Sequence, residues 1–152
     1  MIDPLMTLEI LLVEDNPGDV RLTQEALQHA KVHTQLWAAN DCEHALERLS
    51  QTGEFAGRPL PDLILLDINL QGTSGLDMLR TLKEDAVLRR IPVVVLSSSS
   101  DPRDVLASYD LHANCYVRKP DDFHQFVEVI GSIERFWFDT VTRASTNDTL
   151  SG

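Results

Sequence analysis

Short apolar runs alternate along the chain with stretches whose apolar residues recur every three or four positions. The first run, Glu9 to Val13 (E-I-L-L-V), predicts a strand. A helix follows from Pro17 to about Ala30, with Pro17 tolerated in its first turn and Val20, Thr23, Leu27 and Ala30 on one stripe. Thr34 to Ala39 reads as a second strand, and Asp41 as the N-cap of a helix running to about Gln51. The Gly- and Pro-rich stretch from Gly53 to Pro61 reads as a loop. Asp62 to Leu66 predicts a third strand, and Gly75 to about Glu84 a helix with Leu76, Leu79 and Leu82 inward. Ile91 to Leu96 is the clearest buried strand. Asp101-Pro102 caps and opens a short fourth helix, and Ala113 to Val117 is a fifth strand. The last helix starts near Asp121 and carries Phe123, Phe126, Val127, Ile130, Ile133 and Trp137 at helical spacing.

The predicted strands are apolar at consecutive positions, so both faces of the sheet must be covered. Helices on both sides of a parallel sheet do this. The expected fold is therefore a doubly wound α/β domain with five parallel strands and five helices. In such sheets a ligand site lies beyond the carboxyl ends of the strands, near the point where strand order reverses.

Composition narrows the class. The chain has 152 residues, 43% hydrophobic and 24% charged, which suits one soluble domain. Its formal net charge of −11 argues against a nucleic-acid surface, which needs clustered Lys and Arg. The same charge suits a divalent cation and a protein partner with a basic contact patch. No apolar run is long enough to span a membrane. Asp3 and Pro4 stand where a secretory signal would carry positive charge, so a cytoplasmic location is expected. Cys42 and Cys115 read as free thiols, and the five histidines show no metal spacing and read as surface residues.

The residues directly after the strands carry the chemistry. Glu14 and Asp15 follow the first strand and Asp67 the third. Ser97 to Ser100 end the fourth, and Lys119-Pro120 follow the fifth. Taken singly, each has a plain reading: solvated turn acids, a flexible serine loop, a surface lysine. Brought to one end of one sheet, they form a different object. Neighbouring carboxylates repel unless something positive intervenes, and Mg2+ with oxygen ligands is the usual resolution. A carboxylate beside such an ion can serve as a phosphoryl nucleophile, with Lys119 neutralising the transferring oxygens.

The segments L-L-V-E-D-N, L-I-L-L-D-I-N-L, V-V-V-L-S and Y-V-R-K-P resemble, in order and spacing, the motifs of response-regulator receiver domains of two-component signalling. The likeness spans about residues 8 to 137. It implies the flavodoxin-like receiver fold and a role for each matching residue. Asp67 would be the phosphoacceptor. Glu14 and Asp15 would be the acidic pair for Mg2+, and Asn69 would offer its backbone carbonyl to the metal. Ser97 would be the switch hydroxyl, Tyr116 the switch aromatic and Lys119 the phosphate-pairing lysine. Pro120 would follow a cis peptide bond. Gln71 departs from the family, whose members often have Pro there, and Ser97 replaces a more usual Thr. The loop G-E-F-A-G-R-P-L-P-D and the late I-E-R-F-W-F-D-T-V resemble more narrowly the small single-domain regulators of cyanobacterial phytochromes. That likeness implies a light-sensing histidine kinase as partner.

The resemblance further implies a phosphoacceptor switch rather than an enzyme in the ordinary sense, with Mg-dependent self-phosphorylation and autodephosphorylation. Its output would be a change in the face built by the fourth helix, fifth strand and fifth helix. Phe136, Trp137 and Phe138 are consecutive, and helical residues turn about 100° per step, so all three cannot face one core. That predicts a homodimer through this face. Expected boundaries are an N-terminal extension over 1–7, a receiver domain over 8–138 and a polar tail over 139–152. Two rival readings remain to be weighed. One is an interaction module that keeps the fold without being phosphorylated. The other is an aspartate-nucleophile phosphatase, which would need a second acid where Asn69 stands.

Overall fold

In the computed structural model, five parallel strands form one sheet in the order β2-β1-β3-β4-β5. The structure describes residues 7–29, 33–70 and 74–140, of which 33, 139 and 140 by their backbone alone. The strands are β1 (Thr7–Val13), β2 (His33–Ala39), β3 (Leu63–Leu66), β4 (Val93–Ser97) and β5 (Cys115–Arg118). The helices are α1 (Pro17–Gln28), α2 (Cys42–Ser50), α3 (Gly75–Glu84), α4 (Pro102–Asp110) and α5 (Phe123–Arg135).

Alternate residues of β1 feed two separate cores. Leu8, Ile10 and Leu12 pack with Ala26 and Leu27 of α1 and with Phe126 and Ile130 of α5. Leu11 and Val13 pack on the other face with Ala45 and Leu49 of α2 and with Met78, Leu79 and Leu82 of α3. This two-sided burial is why the strands show no alternation of apolar and polar residues. Leu76, expected inward, is only half-buried, and Met78 takes the fully buried place.

Each helix starts on a side-chain cap. Asn16, Asp41, Ser74, Asp101 and Asp122 each accept from a backbone N–H in the first turn of α1 to α5. Two strand starts fall later than the apolar runs suggest. Pro92 has no N–H to give the ladder, and β4 begins after it. Asn114 turns its side-chain oxygen to Val93 N (2.8 Å), and β5 begins after it.

Strand ends set the site. The ladder continues one residue past the strands: Glu14 N donates to Ala39 O (3.0 Å), Asp67 N to Val13 O (3.1 Å) and Lys119 N to Ser97 O (2.8 Å). The backbone at Glu14, Asp67 and Lys119 is thus held by the sheet rather than left to a loop. The strand order reverses between β1 and β3, where Asp15 and Asp67 emerge, the place where this class of sheet binds ligands.

Among the described residues no peptide bond is cis, so Lys119–Pro120 is trans, against the sequence expectation. The trans form is intrinsically favoured before proline, and Lys119 is held by its side-chain and backbone partners with that geometry. Thr7, assigned to the N-terminal extension, belongs to β1. After α5 a wider helical turn, Phe136–Thr140, carries the helix two residues into the stretch read as tail. Gln71, residues 1–6 and 141–152 lie outside the described residues.

Candidate acidic metal centre

Glu14, Asp15 and Asp67 each present a carboxylate oxygen, and these oxygens lie within 4.8 Å of one another. Glu14 is almost wholly buried (2% exposed), Asp67 nearly so (8%), and Asp15 is half-buried. Burial of an anion is costly without a counter-charge. Lys119 supplies counter-charge from within the chain. Lys119 Nζ donates to Glu14 Oε1 (2.6 Å), Asp19 Oδ2 (2.9 Å) and Asp67 Oδ2 (3.2 Å).

Three buried or partly buried acids share this one ammonium. Glu14 Oε2 is buried without a hydrogen-bond partner among the described residues. Burial, with the neighbouring Asp67 and Asp19 carboxylates, pushes the Glu14 carboxyl up to about 9, despite the opposing pull of Lys119. Asp19 goes the other way. Its partial burial raises it, but hydrogen bonds with Glu14 and Lys119 outweigh that and hold it below the usual range. Burial lowers Lys119, and the contacts with Glu14 and Asp19 more than reverse this, so it stays charged. Crowding of buried carboxylates thus favours the protonated form of Glu14. The orphaned Glu14 oxygen and the three converging carboxylates fit a hard divalent cation with oxygen ligands.

The hydroxyl at the end of β4 is tied to the same centre. Asn69 N donates to Asp67 Oδ1 (2.9 Å), and Asn69 Nδ2 donates to Ser97 Oγ (2.9 Å). Ser97 Oγ, fully buried, also accepts from Ser99 N (3.2 Å). Ser99 O in turn accepts from the Tyr116 hydroxyl (2.8 Å), and the Tyr116 ring is half-buried against the core on the α2–α3 side. A continuous run of contacts thus leads from Asp67 to Tyr116 on β5.

The six candidate residues Glu14, Asp15, Asp67, Asn69, Ser97 and Lys119 come together, and Tyr116 joins through Ser99. Two features escaped the sequence reading. Asp19 pairs with Lys119; the available signal was an acid in the first turn of the helix that opens after Glu14-Asp15. The Asn69 side chain, not only its backbone, takes part. The aromatic trio splits: Phe136 is half-exposed (50%), while Trp137 and Phe138 pack onto the α1–α5 core. His44, expected at the surface, packs edge-on against Trp37 (4.9 Å between ring centres).

A parallel five-stranded sheet with an acidic cluster and a lysine at its carboxyl end is the arrangement of a receiver-type α/β domain. The chain belongs to the response regulator receiver domain family, whose model matches residues 10–131. It is 44% identical over 133 residues to the response regulator Rcp1 of Synechocystis sp., covering 88% of this chain and 90% of Rcp1. The phosphorylated cyanobacterial phytochrome response regulator RcpA superimposes with a TM-score of 0.87 at 45% identity, covering 91% of this chain and 99% of RcpA. The Mn2+-bound form of Rcp1 superimposes with a TM-score of 0.83 at 42% identity, covering 90% and 99%. The flavodoxin-like receiver architecture and the kinship with phytochrome response regulators are thereby established. No helix among the described residues is long and apolar enough to cross a membrane.

Proposed function

We propose that the chain is a single-domain response regulator that accepts a phosphoryl group on Asp67 from a histidine kinase of the phytochrome type, in the cytoplasm. The observation that carries this is the Asp67 carboxylate itself. It lies at the strand end, within reach of two further carboxylates and with Lys119 Nζ at 3.2 Å. The similarity to RcpA, a phytochrome response regulator, supports the choice of kinase class, and its phosphorylated state supports the chemistry.

In the forward step an Asp67 oxygen attacks phosphorus. The new O–P bond forms as the N–P bond of a phosphohistidine breaks, and the imidazole leaves with the bonding electron pair. In autodephosphorylation a water oxygen attacks phosphorus, and Asp67 leaves with the pair. Lys119 donates to a phosphoryl oxygen in both. Glu14, Asp15, Asp67 and the Asn69 backbone carbonyl would hold Mg2+, which when bound would offset the charge spreading over the phosphoryl oxygens. Phosphorylation adds about −1.5 to −2 charge and new acceptor oxygens at Asp67. Ser97, held by Asn69 and Ser99, can then turn to the phosphoryl group. Tyr116 follows through Ser99, shifting the face formed by α4, β5 and α5.

Leu106 and Tyr109 are exposed on α4 of that face, and Phe136 is exposed beyond α5. They support a homodimer through it, with Phe136 at the contact and Trp137 and Phe138 backing it from the core. The phosphatase reading is disfavoured because Asn69, which accepts no proton and gives none, stands where the leaving-group acid would be. The unphosphorylated-module reading is disfavoured by the complete set of acids, hydroxyl and lysine.

The test is phosphotransfer from phytochrome-class histidine kinases to the wild type and to Asp67→Asn, read by intact mass. The wild type is expected to gain one phosphoryl group and the Asn variant none. Equal labelling of both would remove Asp67 as the acceptor.

A further inference from the structure

Lys119 has one more acidic partner than the proposed chemistry needs. Asp19 Oδ2 stands 2.9 Å from Nζ, nearer than the Asp67 oxygen at 3.2 Å. Asp19 comes from the first turn of α1, and that helix does not need its carboxylate. The cap is Asn16, whose side chain already serves Gly18 N and Asp19 N (2.8 and 3.2 Å). The Asp19 backbone carbonyl accepts from the Thr23 hydroxyl (2.9 Å). An acid in a first turn is favoured by the helix dipole even in open solvent. This one instead reaches across to β5, with a third of its side chain still exposed. A cavity of about 230 Å3 opens beside the pair, lined by Asp19, Ser98, Lys119 and Pro120 among others.

An ammonium has three N–H donors, and Glu14, Asp19 and Asp67 engage all three. Asp67 yields its own place at Lys119 when it is esterified, and a second phosphoryl oxygen can gain the ammonium only by displacing Glu14 or Asp19. Glu14 is buried and held close, whereas Asp19 can turn to water. Asp19 also adds one negative charge where an anionic phosphodonor must approach.

We propose that Asp19 is a positioning residue that competes with the phosphoryl group for Lys119 and so restrains phosphorylation of Asp67. This rests on the phosphoacceptor reading of Asp67. Asp19 takes no part in the bond changes; it sets where the ammonium stands when they begin.

The experiment uses phosphoramidate as donor. Its P–N bond breaks, ammonia leaves with the electron pair, and the O–P bond to Asp67 forms. Asp19→Asn removes the charge at constant shape, and Asp19→Ser is a second neutral variant should the first fold poorly. Asp19→Glu keeps the charge. The neutral variants are expected to be phosphorylated roughly three- to tenfold faster than wild type, the size of one unit charge a few ångströms away in a partly hydrated site. The Glu variant should stay within about twofold of wild type. Without metal or donor, the 15N signal of the Lys119 ammonium should move in the neutral variants and return in the Glu variant. A phosphorylated wild type whose neutral variants react no faster, or an unmoved Lys119 signal, overturns the inference and leaves Asp67 as acceptor. A wild type that takes up no phosphoryl group overturns both.

Discussion

Glu14 has two oxygens and two circumstances. One oxygen meets Lys119 at 2.6 Å; the other is buried without a hydrogen-bond partner among the described residues. Burial raises its carboxyl to about 9 from an ordinary value of 4.5. The unfolded chain therefore releases this proton near pH 4.5, while the folded chain keeps it until about pH 9. Above the unfolded value the folded state binds the extra proton, so this group costs stability increasingly as pH rises towards 9. The metal-free protein is expected to unfold at a lower temperature at pH 8.5 than at pH 5.5, and Glu14→Gln should flatten that slope. Calorimetry in buffers of different ionisation enthalpy should also show about one proton released on Mg2+ binding near neutral pH.

Gly75 constrains the same strand end sterically. A Cβ there would lie 2.5 Å from Ile68 Cα and 2.6 Å from Asp67 O, both backbone atoms that cannot swing aside. Gly75→Ala must push α3 away from the segment bearing Asp67. The expected cost is about 1–3 kcal/mol in urea unfolding, together with slower phosphorylation from a displaced acceptor.

At the scale of elements, α5 has two parts with different work. Phe126 and Ile130 are buried against the sheet beside α1. Phe126→Ala should cost about 3–5 kcal/mol by leaving a cavity. Phe136 lies past the regular helix, where the wider turn Phe136–Thr140 rotates the chain; half its surface is exposed, and its ring meets only the edge of Trp137 among the described aromatic contacts (5.4 Å). Phe136→Ser should therefore leave monomer stability within about 0.5 kcal/mol. It should shift the sedimentation equilibrium towards monomer. An unchanged association constant would remove Phe136 from the contact.

Over the whole molecule, acids outnumber basic residues, giving the formal charge of −11, and several converge at one end of the sheet. Specific binding of a divalent cation there should raise stability by about 2.7 kcal/mol at a hundred times its dissociation constant. Sodium chloride at matched ionic strength should reproduce little of this, because screening acts weakly on buried charges. Asp15→Asn should abolish the Mg2+-specific part. Thermal unfolding with and without Mg2+ decides it.

The apolar runs and helical periodicities determined the five strands, the five helices and their order, because each run has to bury two faces and each helix one. The strand-end position of Glu14, Asp15, Asp67, Ser97 and Lys119 followed from the same pattern, since parallel connection brings every carboxyl end to one edge. Four motifs in register carried the family. What tertiary structure alone decided are contacts between elements far apart in sequence. Asp19 meets Lys119 across 100 residues, and Asn69 meets Ser97 across 28. No periodicity records such meetings, because they depend on how α1 and the loops settle on the sheet. The trans bond at Lys119–Pro120 and the choice of Phe136 as the exposed member of the aromatic trio belong to the same class. Each turns on energy differences of a few kcal/mol or less, settled by the packing around the residue and not by the residue itself.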